Sequence, residues 1–127
     1  MKKGNILVVE DQKYVRALLV DALSFFGYSP LEAKTPYEAL QMLRKNRVDL
    51  SIVDYCLPGM DGLELIEEIR KINPKIPIFI TSGFSDIVSK RVEKSAKSLG
   101  GIIHFLEKPI DLDNLKNCLD KVISYAV

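Results

Sequence analysis

Short apolar runs alternate with stretches of helical period along the whole chain, and few folds satisfy both periods at once. The runs fall at residues 5–10, 28–33, 49–53, 77–82 and 102–106. They are rich in β-branched and aromatic side chains, with Ile78, Phe79 and Ile80 in one, just after Ile76, and Ile102 and Ile103 in another. Strands with this uninterrupted apolar character are those buried on both faces, as in a parallel sheet sandwiched by helices.

The first helix is predicted over 12–26, where Val15, Leu18, Leu19, Ala22, Leu23 and Phe26 share one face and Gly27 ends the run. Thr35, Pro36 and Glu38 open the second with a capping box and a proline at the first helical position. Ile66, Ile69 and Ile72 line the third, which Asn73-Pro74 stops. The fourth, over 86–99, has a thin stripe of Val88, Val92, Ala96 and Leu99 and a basic face of Lys90, Arg91, Lys94 and Lys97. Leu112, Leu115, Leu119, Val122 and Ile123 line the last, with Asp111 as its N-cap. Right-handed crossovers covering both faces, with the winding reversed after the second strand, give the order 2-1-3-4-5 of a doubly wound, flavodoxin-like (βα)5 sandwich. The crevice at the reversal lies beyond the carboxyl ends of the first and third strands.

The 127 residues suit one domain over 1–127, and 47% hydrophobic with 28% charged residues is the balance of a soluble globular chain. Eighteen basic against seventeen acidic residues leave a formal charge of +1, so bulk charge argues neither for direct nucleic-acid binding nor for a membrane surface. The apolar run after Lys2 and Lys3 is too short for a signal peptide, and none approaches the ~20 residues of a membrane span. Cys56 and Cys118 have no motif spacing and are expected as small, mostly buried thiols in a reducing compartment. The expected location is cytoplasmic.

Function then has to come from local placement. Asp54 ends the apolar run and precedes Leu57-Pro58-Gly59-Met60-Asp61-Gly62, through which neither helix nor strand continues. Glu10 and Asp11 end the first run. With the first and third strands adjacent, three carboxylates meet at one rim and need a proton or a cation to relieve their repulsion. Thr81-Ser82-Gly83 closes the fourth strand and Lys108-Pro109 follows the fifth, adding a hydroxyl and an ammonium. Hard oxygen ligands in a tight group suit Mg²⁺, commonly completed by a phosphate. The ion and Lys108 would draw in a phosphoryl group, Thr81 would donate a hydrogen bond to one of its oxygens, and Asp54 is the natural nucleophile of an acyl phosphate.

Four fragments, each at a strand end, carry a family resemblance: Glu10-Asp11; Val53-Asp54 with Leu57-Pro58-Gly59-Met60-Asp61-Gly62; Thr81; and Phe105-Leu106-Glu107-Lys108-Pro109. In them the chain resembles, over essentially its whole length, the receiver domains of two-component response regulators. The resemblance implies that Asp54 accepts phosphate from a sensor histidine kinase, a histidine phosphotransfer protein or another phosphodonor. It implies Mg²⁺ held directly by Asp11, through water by Glu10, and by Asp54 and the backbone carbonyl of Cys56. Thr81 and Lys108 would contact phosphoryl oxygens. Phe105 takes the aromatic switch position, its ring turning inward as the Thr81 hydroxyl moves to the phosphate. The signal would leave by the surface of the fourth helix, fifth strand and fifth helix, toward a downstream protein or effector domain, and a phosphorylation-dependent homodimer is compatible with it. Such a protein promotes its own modification and turns over no substrate.

Three features depart from the family pattern. Glu10 is one methylene longer than the usual aspartate. Cys56, two residues after Asp54, stands where a side chain affects how water reaches the phosphate. The segment from Thr81 to Lys108 is about five residues longer than usual, roughly one extra turn of helix. Plainer readings also stand: Phe105 as core, His104 as an ordinary strand residue, Pro109 as fixing a loop through a cis or trans peptide. The basic face of the fourth helix reads as solvated surface or as a dock for an acidic partner. Two rival functions remain, an aspartyl-phosphate phosphatase or phosphotransferase and a phosphate-independent interaction module. Haloacid-dehalogenase-like hydrolases need an acid where Cys56 stands, and intact Asp54, Thr81 and Lys108 disfavour the module. With the last helix ending near Val127, both a protein acting alone and a piece of a longer chain stay open.

Overall fold

The computed structural model describes residues 3–83 and 86–126. Along them run β1 (Asn5–Val9), α1 (Lys13–Phe25), β2 (Ser29–Ala33), α2 (Pro36–Lys45), β3 (Leu50–Asp54), α3 (Gly62–Ile72), β4 (Ile78–Ser82), α4 (Asp86–Lys97), β5 (Ile103–Glu107) and α5 (Leu112–Ala126). The strands form one parallel sheet in the order β2-β1-β3-β4-β5, which is the order expected from a reversal of winding after the second strand.

Successive side chains on each strand go to opposite faces, and each face has its own core. Ile6, Val8, Leu50, Ile52 and Phe79 pack with Leu19 and Leu23 of α1 and Leu115 and Leu119 of α5. Leu7, Val9, Val53, Ile78 and Ile80 pack with Ala39 of α2, Leu65, Ile66 and Ile69 of α3 and Ala96 of α4. Each fully buried aliphatic side chain contributes roughly 1.5–3 kcal/mol, far more than a solvent-exposed ion pair does. These two apolar layers therefore hold the strand ends in register.

Burial on both faces holds for β1, β3 and β4 and fails at the edges. Ile102 is 44% exposed and β5 is only partly covered, because an outer strand has a neighbour on one side alone. Strand ends also shift by a residue. Pro77 has no N–H to donate to the ladder, so the strand begins at Ile78, although the Pro77 carbonyl still accepts from Ser51 N at 3.0 Å. β1 stops at Val9, which puts Glu10 in the loop, while β3 runs on through Asp54.

In α1 the buried face is Arg16, Leu19, Ala22 and Leu23, and Leu18, expected inside, is 52% exposed. The helix is rotated so that the 16-19-23 row meets the sheet. Thr35 accepts from Glu38 N at 3.1 Å, with Pro36 in the first turn of α2. Asp61 caps α3, accepting from Glu64 N at 2.9 Å. Ile66 and Ile69 are buried and Ile72 partly so. Val92 and Ala96 of α4 are buried and Leu99 beyond it is half-buried, whereas the side chain of Val88 lies outside the described residues. Asp111 Oδ1 accepts from Asp113 N at 3.0 Å and Asn114 N at 3.1 Å, as an N-cap of α5 should. Cys118 is half-buried, but Cys56, expected mostly buried, is exposed because it lies in the loop beyond β3; both are free thiols. Among the described residues no helix is long and apolar enough to cross a membrane.

Candidate functional site

Side-chain parity assembles the site. Ile6, Val8, Leu50, Ile52, Phe79 and Leu106 face the α1–α5 core, and continuing each row by two residues gives Glu10, Asp54, Thr81 and Lys108. All four strand ends thus deliver a polar group to the same face at the same rim. Glu10 is 1% exposed, Asp54 5% and Thr81 2%, while Asp11 is open to solvent. Asp54 and Thr81 are direct partners in the β3–β4 ladder.

Glu10, Asp11 and Asp54 each offer a carboxylate oxygen, all within 4.8 Å of one another. The Lys108 ammonium closes the group, 2.8 Å from Glu10 Oε1 and 3.2 Å from Asp54 Oδ2. Burial works to lower the Lys108 pKa, but the hydrogen bond to Glu10 and the charge of Asp54 outweigh it and hold the amine above its ordinary value. Lys108 is therefore a fixed positive charge. It precedes Pro109 through a cis peptide bond.

The β3–α3 loop is folded tightly around Asp54. Cys56 N donates to Asp54 Oδ1 at 3.2 Å, Tyr55 N to the Thr81 carbonyl at 2.9 Å, and Gly62 N to the Tyr55 carbonyl at 2.7 Å. A Cβ on Gly62 would stand 2.7 Å from Tyr55 Cα and 3.0 Å from the Asp54 carbonyl oxygen, so no other residue fits without moving the loop. Gly59 turns the chain at φ +82°, in the left-handed region. Although Cys56 is exposed, partial desolvation and then the charge of Asp54 raise its thiol pKa above the ordinary value.

Phe105 is half-buried against the α2–α3–α4 core, opposite Ile80 in the ladder. His104 is exposed, its ring edge-on to Phe79 at 5.4 Å, and among the described residues it joins no metal-ligand group. Lys90, Arg91, Lys94 and Lys97 are exposed, and Lys97 pairs with Glu93 at 3.3 Å. Arg16 is absent from the expected site, yet its Nη1 donates to the carbonyls of Glu10 at 2.9 Å and Asp11 at 3.4 Å. The available signal was an arginine three residues before Leu19 and seven before Leu23, on the apolar face.

The family model of the response regulator receiver domain matches residues 6–120. The chain belongs to that family. This receiver is 31% identical to sporulation initiation phosphotransferase F of Bacillus subtilis, over 97% of its own length and 96% of that protein. It is 34% identical to transcriptional regulatory protein ZraR of Salmonella typhimurium over 98% of its own length, and there it spans only 27% of the relative. The solved signal receiver domain of an HD domain-containing protein from Pseudomonas fluorescens superposes with a TM-score of 0.87 at 30% identity, covering 96% of this chain and 95% of that one. Receiver domains are phosphoryl-accepting switches that work with histidine kinases or phosphotransfer proteins, and this one carries an acidic cluster able to bind a metal.

Proposed function

We propose that this receiver takes a phosphoryl group on Asp54, with Mg²⁺ held by Glu10, Asp11, Asp54 and the backbone carbonyl of Cys56. The observation that carries the reading is the meeting of three carboxylates and one ammonium at four strand ends. Carboxylate oxygens this close suit a hard divalent cation. When bound, the ion neutralises charge on the transferring phosphoryl oxygens.

An Asp54 carboxylate oxygen attacks phosphorus and forms the O–P bond. With a phosphohistidine donor the P–N bond breaks, and its electron pair stays on the imidazole nitrogen, which takes up a proton from solvent. Lys108 presents its charge to the phosphoryl oxygens, and the Thr81 hydroxyl donates a hydrogen bond to one of them. The new group carries ~1.5–2 negative charges, enough to draw Thr81 toward it and release room for the Phe105 ring. The altered α4–β5–α5 surface then binds a downstream protein, an effector domain or a second copy. Residues 1–127 act as one cytoplasmic receiver, without substrate turnover.

A groove of about 400 Å³ lined by Val15, Leu18, Leu19, Lys108, Pro109 and Ile110 supports docking of the donor here. Its apolar walls and one charged end fit a helix that presents a phosphohistidine.

The test is phosphate uptake from a small phosphodonor, followed by intact mass, with Mg²⁺ and with chelator. One phosphate per chain, dependent on Mg²⁺, supports the reading. Many phosphoesters hydrolysed per chain would favour the enzyme class instead.

A further inference from the structure

Arg16 is 7% exposed on the buried face of α1, and its guanidinium reaches main chain with one nitrogen and a side chain with another. Nη1 lies 2.9 Å from the Glu10 carbonyl oxygen and 3.4 Å from that of Asp11, while Nε lies 3.2 Å from Glu32 Oε1. Glu32 belongs to β2, in register with Val8 on β1, so the guanidinium ties the turn after β1 to the neighbouring strand. Among the described residues, the starts of α3 and α5 are held by side chains, Asp61 and Asp111. The α1 start has no such cap: Gln12 makes no side-chain capping bond. Gln12 N donates to Glu10 Oε2 at 3.3 Å, and the arginine adds the restraint on the carbonyls of the turn.

We propose that Arg16 is a positioning residue for the cation site, an inference that rests on the Mg²⁺ reading above. With both carbonyls held, the main-chain torsions that aim the Glu10 and Asp11 carboxylates are held as well. The guanidinium also sets a permanent positive charge behind an acidic pair. A planar fork is required, because one nitrogen must reach two carbonyls while another reaches Glu32. A lysine keeps the charge but offers one nitrogen and cannot do both.

The experiment is calorimetric titration with Mg²⁺ alone on the native chain, Arg16→Lys and Glu32→Ala, with circular dichroism to check folding. Outer partners of metal ligands typically govern affinity by 10–100-fold, so a folded Arg16→Lys should bind Mg²⁺ about 10-fold more weakly. At saturating Mg²⁺ its phosphate uptake should return toward native, a recovery that general loss of structure would not give. Native affinity in folded Arg16→Lys overturns the proposal. Should that variant not fold, Glu32→Ala decides: Glu32 is 53% exposed, its removal frees one arm of the fork, and an unchanged affinity overturns the proposal equally. A native chain that binds no Mg²⁺ removes the underlying site reading itself, which separates the two failures.

Discussion

Lys108 Nζ lies 3.2 Å from Asp54 Oδ2, joining β5 to β3 across the intervening β4. The same nitrogen is 2.8 Å from Glu10, so one ammonium balances two buried carboxylates. Removing it has opposite effects on binding and on chemistry. Lys108→Ala should bind Mg²⁺ at least as tightly as native, since a competing cation is gone. Its phosphate uptake at saturating Mg²⁺ should fall on the order of 10²-fold, the usual cost of one charge-stabilising donor. Calorimetry and uptake kinetics measure the two separately, and an unchanged uptake rate would remove Lys108 from the chemistry.

Gly62 is set by a close approach of backbone. An alanine there meets Tyr55 Cα at 2.7 Å, and the overlap should cost roughly 1–3 kcal/mol in urea unfolding. The loop shift should also slow uptake on Asp54. Native stability in Gly62→Ala would mean that the β3–α3 loop is looser than described.

The groove beside Lys108 separates two kinds of donor. Leu18→Glu places a charge in its apolar wall, and Leu18 is 52% exposed, so the fold should survive. Transfer from a phosphohistidine-bearing protein should fall by 10-fold or more, about 1.4 kcal/mol, with uptake from a small phosphodonor unchanged. Equal loss with both donors would place the effect at Asp54 and not at docking.

Stability should follow pH through the Tyr28–Asp120 pair, 2.6 Å between hydroxyl and carboxylate. Burial, then the hydrogen bond to Asp120, pushes the Tyr28 pKa well up. A raised pKa stabilises fully below the unfolded value, about 10, and that contribution is lost as pH rises above it. Asp120 is held low by its hydrogen bond to Lys116, then by Tyr28. Its contribution is present above the unfolded value of about 3.9 and is lost as pH falls below it. Urea midpoints across pH should therefore fall on both sides, with Tyr28→Phe flattening the alkaline arm and leaving the slope due to the other groups held above their ordinary values, Tyr55, Cys56, Lys71 and Lys108. An unaltered alkaline arm in Tyr28→Phe would contradict the assignment.

Strand order and most of the site are legible in the sequence because both depend on short-range regularities. Apolar runs mark the inner strands, and a carboxylate, hydroxyl or ammonium just past a run must lie at its carboxyl end, whichever residue closes the strand. What escapes depends on neighbours far along the chain. Ile102 reads as doubly buried until the order puts β5 at an edge. Leu18 and Arg16 exchange places because the rotation of α1 is set by the sheet beneath it, and an arginine facing two carbonyls breaks the apolar pattern used to find the buried face. Cys56 follows an apolar strand closely enough to look buried, but the turn at Asp54 carries it outward.

The most direct measurement is to locate the phosphate. The receiver, loaded from a small phosphodonor with Mg²⁺, is reduced with borohydride, which converts an aspartyl phosphate to homoserine, and digested for peptide sequencing by mass. Homoserine at position 54, and no uptake by Asp54→Asn, is the predicted result. Label on any other side chain, or stable native-level uptake by Asp54→Asn, contradicts the account.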